Sequence, residues 1–555
     1  MFKNRIYLIL GLLEILLFSY NIRATTYIVN SANEINNRIT QLNAGDSLLI
    51  TNGEYDIGAI WLQNRHGSEQ DWIVIKGLEG IPKLIGSKYE NVINIDNCSY
   101  MKFEQLEITI DGTYQGIDGF TFRSSSHHIE FVKCRIINIT NVGINSQVPE
   151  IHHIAVRECE IAYCSEVGIY WGYPDPLKVA RDCIIENSYI HHCPTDSTQE
   201  TGYGIQIKGG SYRNIVRDNV LHTVGGTTRA GIGLYYTNLS GGMSVEDNNI
   251  ISGNIVWNVP AEGIYAAAGV TIENNIVYDA VWGIEIYPYT GSTTENVILQ
   301  NNTVYNCRDE GIFISGWGAA GNDCIVINNV AVMDDVNKMA LIAKSRGNAI
   351  FANNYYFGGM TGFDQAAKPC NPADMEFIKA GGNLSIPGLD LYPKNNSTLI
   401  NSGTRAFGYP EYDFNREKRK ISDSIDVGAY EFSTSENPGW QLSKGFKILD
   451  IETKLNHGNL NQPVKSHLFK NYPNPFNSET WLLFQIPERS HVNLTVSNLL
   501  GQRVATLINA ELPAGEFEMN FDASELPTGI YFAHLKSESK NGNSVDISRR
   551  LVYLK

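Results

Sequence analysis

From about Gly119 to Gly359 apolar residues alternate with polar ones in short runs that Gly, Asn and Asp interrupt. The pattern is plainest at Val270-Thr271-Ile272-Glu273-Asn274-Asn275-Ile276-Val277-Tyr278-Asp279, and it returns at Asn296-Val297-Ile298-Leu299-Gln300-Asn301-Asn302-Thr303-Val304-Tyr305-Asn306. Gly-Ile steps punctuate the runs at Gly143, Gly168, Gly204, Gly231, Gly263, Gly283 and Gly311, with Gly119-Phe120 and Ala340-Leu341 as degenerate ends. A fixed period in the twenties to thirties marks a stacked repeat. Two-residue alternation, richness in Ile, Val, Thr and Tyr, and the lack of a helical stripe make the runs strands, three per unit. Three short strands cannot bury their apolar faces alone, so each coil is expected to stack in parallel on the next, about 4.8 Å away. A column of Asn187, Asn219, Asn254, Asn275, Asn302, Asn329 and Asn354, begun by Cys134 and Cys159, fits that stack. Asn tolerates a left-handed turn, and its amide can bond the amide of the next coil.

On these residues the chain resembles the right-handed parallel β-helix proteins of the pectin-lyase-like superfamily, over residues 25–433. The resemblance implies an all-β solenoid. At its start Thr26–Val29 reads as a strand, and Ser31 with Glu34 forms a capping box. Ile35, Ile39 and Leu42 then make the apolar stripe of a helix that plugs the open end of the solenoid. The run Ala44–Tyr55 is similar to the start of many secreted β-helix proteins, and Ser397–Gly403 with Asp426–Phe432 to their ending, read here as a C-terminal cap. Residues 434–466 are polar, with scattered Gly and Pro, and read as a linker. Residues 467–555 open with Asn471-Tyr472-Pro473-Asn474-Pro475-Phe476-Asn477 and continue through Trp481–Ile486, Val492–Val496, Leu500–Val504 and Pro527–Phe532 to Arg549–Lys555. This segment resembles the C-terminal sorting domain of the type-nine secretion system, a small β-sandwich. The resemblance implies recognition by outer-membrane secretion machinery, export across the outer membrane, and attachment to the cell surface or release. Residues 1–24 read as a signal peptide, with Lys3 and Arg5 before an apolar Ile6–Leu17 and cleavage after Ala24; Glu14 interrupts the apolar run, and an uncleaved anchor is the alternative.

The net charge of -16 over 555 residues excludes a nucleic-acid backbone as partner, because no basic patch would draw one. The one cationic cluster, Arg416-Glu417-Lys418-Arg419-Lys420, is expected to be a solvated loop. Of nine cysteines, Cys98, Cys134, Cys159, Cys183 and Cys324 sit in apolar runs and read as small buried hydrophobes, while Cys164 and Cys193 occupy equivalent places where one disulfide could form. A monomer is expected.

Candidate chemistry follows from the register of the Gly-Ile strands, whose second and fourth residues after Gly should face outward, placing Ile205 and Ile207 inside and Gln206 and Lys208 outside. The outward surface then comprises Thr121, Arg123, Asn145, Gln147, Tyr170, Gln206, Lys208, Tyr235, Tyr265, Glu285, Tyr287, Phe313, Ser315 and Lys344. Trp171, Tyr173, Tyr236, Tyr289 and Trp317 join it from the loops that follow. Aromatic faces flanked by amides suit sugar rings, so a polysaccharide is the expected partner, with Arg123, Tyr170, Gln206, Tyr265, Trp317 and Lys344 as binding residues. For catalysis the best-motivated reaction is β-elimination on a uronic-acid glycan, which needs a base and a cation to neutralise the carboxylate. Lys208 is the candidate base, Tyr235 or Tyr287 the base or acid beside it, and Arg123 or a bound calcium ion the neutraliser. Hydrolysis needs two acids facing one bond, and the predicted groove offers Glu285, with Glu262, Asp309 and Glu310 in the loops before the strands. The polygalacturonase motifs and the Asp-Pro-His of alginate epimerases are absent; Lys344-Ser345 is faintly similar to the Lys-Ser step of calcium-dependent alginate and chondroitin lyases, without their paired Arg. The pairs His127-His128 and His152-His153 fall at matching distances before Cys134 and Cys159, so they are expected to stack as a turn column, with metal binding as the alternative; His191-His192 lies elsewhere in its coil. A non-catalytic adhesin or glycan-binding module is the competing class.

Overall fold

Strand pairing follows the repeat. In the computed structural model, Val270–Glu273 lies parallel to Val297–Gln300 with Val270 opposite Val297, and the chain then turns at Asn274 into the long strand Ile276–Ile286. The first part of that strand pairs with Thr303–Tyr305 and the last part with Glu310–Ile314, so one coil contributes to three faces. The structure describes residues 24–173, 177–195, 200–235, 247–288, 294–316, 324–344, 347–380, 389–419, 424–434, 439, 445–447, 467–468, 476–487, 489–512, 515–524, 526–539 and 544–555. Most of the expected signal peptide and linker lies outside these residues.

Every described pairing among the coils is parallel, from Thr26 opposite Ser47 to Tyr355 opposite Lys368. Inward residues stack in register: Ile205, Ile232, Ile264, Ile284, Ile312 and Leu341 form one fully buried row. Burying each such side chain contributes roughly 1.5–3 kcal/mol, which is what holds the coils together. The repeated glycine is a matter of space. A Cβ on Gly168 would lie 2.5 Å from the carbonyl oxygen of Gly204 in the next coil.

The asparagine column forms between the first two faces. Asn219, Asn254, Asn275, Asn302, Asn329 and Asn354 are buried and linked, each Nδ2 donating to the next Oδ1 at 2.9–3.0 Å. Each Oδ1 also accepts the backbone N–H of the preceding coil, as Asn302 does from Asn275 at 3.0 Å. Asn187 does not belong to the column. It occupies the left-handed turn at φ 50°, and Ser188 takes the inner place, accepting from the Cys159 N–H at 3.2 Å. Cys98, Cys134, Cys159, Cys183 and Cys324 are buried as expected, and Cys164 and Cys193 are buried free thiols in contact.

The helix Ala32–Ile39 (α1) forms where the capping box places it. Glu34 N–H donates to Ser31 Oγ at 3.4 Å, the Glu34 carboxylate accepts from Asn30 N–H at 3.2 Å, and Ile35, Ile39 and Leu42 are buried in the core. At the other end Phe363 fills the interior, edge-on to Phe351 at 4.9 Å. The stretch read as a C-terminal cap does something different. It runs along the flank of the solenoid, where the turn asparagines Asn274, Asn301, Asn328 and Asn353 donate to the carbonyls of Tyr412, Asp426, Thr404 and Ser402 at 2.7–2.9 Å. The cationic cluster within it is solvated only in part, with Lys418 exposed and Arg419 buried. Arg419 is 1 % exposed and donates to Glu431, Asn274 Oδ1 and the carbonyls of Gly428, Ala429 and Tyr430, while Arg416 pairs with buried Asp218. Lys447, inside the stretch read as a linker, is buried on the same Asp218 at 2.9 Å and on the carbonyls of Gly253 and Phe414. The first compact unit accordingly runs to Lys447.

The second unit, from Ile448, holds two antiparallel sheets. One contains His467–Leu468, Glu479–Ile486 and Gly515–Asp522, and the other Arg503–Leu512, Ser490–Asn498, Gly529–Ser539 and Ser544–Tyr553. Leu482, Phe484 and Ile486 of the first share a core with Val492, Leu494 and Val496 of the second.

Candidate functional site

The third face carries the expected outward rows. Pairing registers place Asn94, Thr121, Asn145, Tyr170, Gln206, Gly233, Tyr265, Glu285, Phe313 and Ile342 in one line across successive coils. Two residues further along, Lys208 and Tyr235 are neighbours, with Tyr287, Ser315 and Lys344 continuing the line. Trp171 departs from the expectation, because the alternation that turns Tyr170 outward sends Trp171 into the core, where it is fully buried.

Lys208 sits near the middle. Its backbone is fixed because Gly172 (φ 78°) leaves room for the Lys208 carbonyl, which a Cβ there would meet at 2.3 Å. Its ammonium lies 5.3 Å from the centre of the Tyr170 ring and 6.0 Å from that of Tyr235. Burial, then repulsion from Arg229, lowers its pKa, against a weaker pull from Glu166. Beneath it Gln206 is 2 % exposed, and among the described residues its Nε2 has no acceptor. Tyr235 is 7 % exposed, stacks face to face on Tyr265 at 4.4 Å and meets Tyr203 edge-on at 5.6 Å. Burial, with Tyr203 and Glu262 nearby, pushes its phenol well above the ordinary range, so it stays protonated and cannot serve as a base. Glu166 and Arg229 each stand two residues before a Gly of the repeat, at Gly168 and Gly231. A register reading limited to positions after the Gly passes over both.

A second cluster lies further along the same face. Glu262 falls opposite Trp282 and then Glu310 in the row just before each Gly, while Glu285 sits opposite Tyr265. The Glu285 carboxyl is pushed up to about 8 by burial, by the charge and hydrogen-bonding contact of Glu262, and by Glu310, with Lys344 opposing. Burial, helped by Asp309, raises Glu310 as well. Lys344 Nζ lies 4.7 Å from the Phe313 ring. Tyr265 donates its hydroxyl to the Tyr287 carbonyl at 2.8 Å, and Tyr287 is 46 % exposed.

Lys208, Tyr170, Gln206 and Tyr235 are thus brought together, and Glu285 with Lys344 forms a separate group joined to them through the Tyr235–Tyr265 stack. Tyr287 is three coils beyond Lys208, roughly 14 Å at the strand spacing. Arg123 is three coils away in the opposite direction, held by Asn94 Oδ1 at 2.6 Å and Glu90 at 2.8 Å. Trp317 lies outside the described residues. The row of tyrosines is less open than the alternation suggests, since Tyr235 and Tyr265 cover one another's faces and Phe313 is 6 % exposed.

Residues 91–356 match the family described as the right-handed beta helix region, and residues 470–546 match the secretion system C-terminal sorting domain. Among solved structures the chain is similar to an alginate lyase from a Paenibacillus species, with 14% identity over 61% of this chain and 99% of that one and a TM-score of 0.38. It is similar to the A-module of a mannuronan C-5 epimerase from Azotobacter vinelandii, with 13% identity over 62% and 94% of the two chains and a TM-score of 0.43. The catalytic domain of a GH87 alpha-1,3-glucanase is a further such structure, with 10% identity, 62% and 68% coverage and a TM-score of 0.32. No curated protein matches the chain. With its coils paired in parallel on three faces and its last unit a sorting domain, the chain is a right-handed parallel β-helix protein exported through the type IX secretion system to the cell surface or the extracellular space.

Proposed function

We propose that the protein is a polysaccharide lyase that cleaves a uronic-acid glycan by β-elimination in the groove around Lys208. The observation that carries this reading is the Lys208 ammonium set between the Tyr170 and Tyr235 rings, 5.3 Å and 6.0 Å from their centres, where burial and Arg229 lower its pKa. Neutral Lys208 Nζ takes the proton from the carbon next to the uronate carboxylate, and the electron pair forms the new double bond as the glycosidic oxygen leaves. Tyr235 supplies the proton to that oxygen, so no water is consumed. Arg229 neutralises the carboxylate and thereby favours loss of the neighbouring proton. Gln206 offers its free Nε2–H to a sugar oxygen or carboxylate. This reading assigns no role to calcium beside Lys208. The carboxylate that acts on Lys208 is Glu166, and it faces two cations, Lys208 and Arg229, a set poorly suited to a hard divalent ion that takes six to eight oxygens.

Hydrolysis suits the second cluster less well. A retaining pair of carboxyls stands about 5–5.5 Å apart and an inverting pair further, whereas Glu262 and Glu285 are in hydrogen-bonding contact. The non-catalytic reading loses much of its aromatic platform to the Tyr235–Tyr265 stack.

Purified protein should release unsaturated uronate from a uronic-acid polysaccharide, with the rate unchanged by chelator and rising with pH as Lys208 loses its proton. Lys208→Ala should lower kcat/KM by about a hundred- to ten-thousand-fold. New reducing ends without an unsaturated product would replace the proposal with hydrolysis.

A further inference from the structure

On the first face, away from the groove, two histidine pairs from adjacent coils form a compact array. Consecutive residues of a strand point to opposite sides, so His127 and His128 should diverge. They do not, because His128 (φ 52°) and His153 (φ 54°) adopt the left-handed conformation and keep the second imidazole outside with the first. Register then stacks the pairs: His127 is opposite His152, and the rings of His127 and His152 lie 4.7 Å apart at 5°, those of His128 and His153 4.4 Å apart at 5°. Within each pair the Nδ1 atoms approach to 2.8 Å and 2.9 Å, so one imidazole donates and the other accepts. In the His152–His153 pair the donor therefore keeps a bare Nε2 while its Nδ1–H is held in place by its neighbour, whereas ligation by both His127 and His128 replaces the bond between them.

We propose that His127, His128 and His152 form a binding site for a borderline transition-metal ion such as zinc, nickel or copper(II), with His153 as the imidazole that orients His152. One nitrogen from each of the three lies within 4.8 Å of the other two. Three nitrogens at about 2.0–2.1 Å from a tetrahedral metal stand about 3.3 Å apart, a contraction that small ring rotations at a partly exposed corner can supply. An all-imidazole donor set selects these metals over calcium or magnesium, which prefer oxygen. Arg181 follows His152 in the column, but its charge is met by Glu150 at 2.5 Å and Asp182 at 2.9 Å. Tyr100 closes the other end, stacked on His128 at 4.5 Å. A second histidine stack, His191-His192 with His222, serves as an internal comparison: its His191 is 5 % exposed and in contact with Glu160, and Tyr189 occupies His222 Nε2.

The test is titration of the untagged full-length protein with Co²⁺ alone, followed by its visible d–d bands, and with Zn²⁺ in competition. A saturable site of one equivalent is expected, weakened by at least about tenfold in His127→Gln and in His152→Gln and unchanged in His192→Gln. Circular dichroism identical to the parent shows that a loss is not unfolding, and His128→Gln, at a partly exposed turn, repeats the test without touching the first stack. No saturable binding to about millimolar metal, binding that survives all three substitutions, or equal loss in His192→Gln would each overturn the site.

Discussion

Asn301 and Asn302 are identical neighbours, yet the first holds a left-handed turn at φ 53° and donates to the Asp426 carbonyl, whereas the second is buried in the ladder and bonds both adjacent coils. Replacing Asn302 with Ala would leave the buried Asn275 N–H without its acceptor and take away one of the three acceptors of the Asn275 Nδ2. We expect a loss of about 2–4 kcal/mol, read from the urea midpoint of the first unit. Asn301→Gly keeps the turn and removes one short bond, to the Asp426 carbonyl, with two long ones to Gly428 and from Asn328, so it should cost about 1 kcal/mol; equal losses would show that the ladder carries no special weight. The Asn-Asn doublets were visible in the sequence and their ladder was read correctly from Asn219 onward, but Asn187 was misassigned because nothing local distinguishes the turn residue from the ladder residue beside it. Glu285 poses a different test. Its carboxyl titrates at about 8 when folded, and at about 4.3 in an unfolded chain. Between those values the folded state holds a proton that the unfolded state has lost, so this group's contribution to stability falls as pH rises through that window. Glu285→Gln should flatten the decline between about pH 5 and about pH 9, and an unaltered slope would mean that the carboxyl is not held protonated.

At the scale of elements, the flank segment is where a local reading failed most clearly. Arg416 to Lys420 looks like a solvated loop because charge is the strongest local signal there, but burial depends on what the loop lies against. Here it lies against the turn asparagines and Asp218, and Arg419 finds one carboxylate and three carbonyls within the contact. Arg419→Met should be tolerated less well than a surface change, because Glu431 would be left buried without its cation. The expected cost is about 3–5 kcal/mol, with residues 397–434 becoming the first site of limited proteolysis. Cleavage that begins elsewhere at the parent rate would show that Arg419 does not pin the segment. Helix α1, by contrast, was legible from its cap and stripe alone, since Ser31, Glu34 and the three apolar residues act within about three turns of each other.

For the whole molecule, parallel coils and the sorting domain were legible because each rests on a repeated or extended pattern, whereas the groove depends on side chains from four coils meeting. Arg229 and Glu166 come from loops and could be placed only by the pairing of those coils. The extent of the first unit is testable. A fragment of residues 24–447 should unfold at a higher urea concentration than one of residues 24–433, which lacks the Lys447 amine on Asp218. Matching midpoints would put Lys447 outside the folded unit. Removing residues 470–546 should leave the protein inside the outer membrane. The most direct test of the central claim follows ultraviolet absorbance of unsaturated uronate while the protein meets a panel of uronic-acid polysaccharides, with Lys208→Ala and Arg229→Ala alongside. A rise in the parent that Lys208→Ala abolishes and Arg229→Ala weakens mainly through the rate of elimination is the predicted result. A rise that persists without Lys208, or none with any uronic-acid glycan, would contradict it.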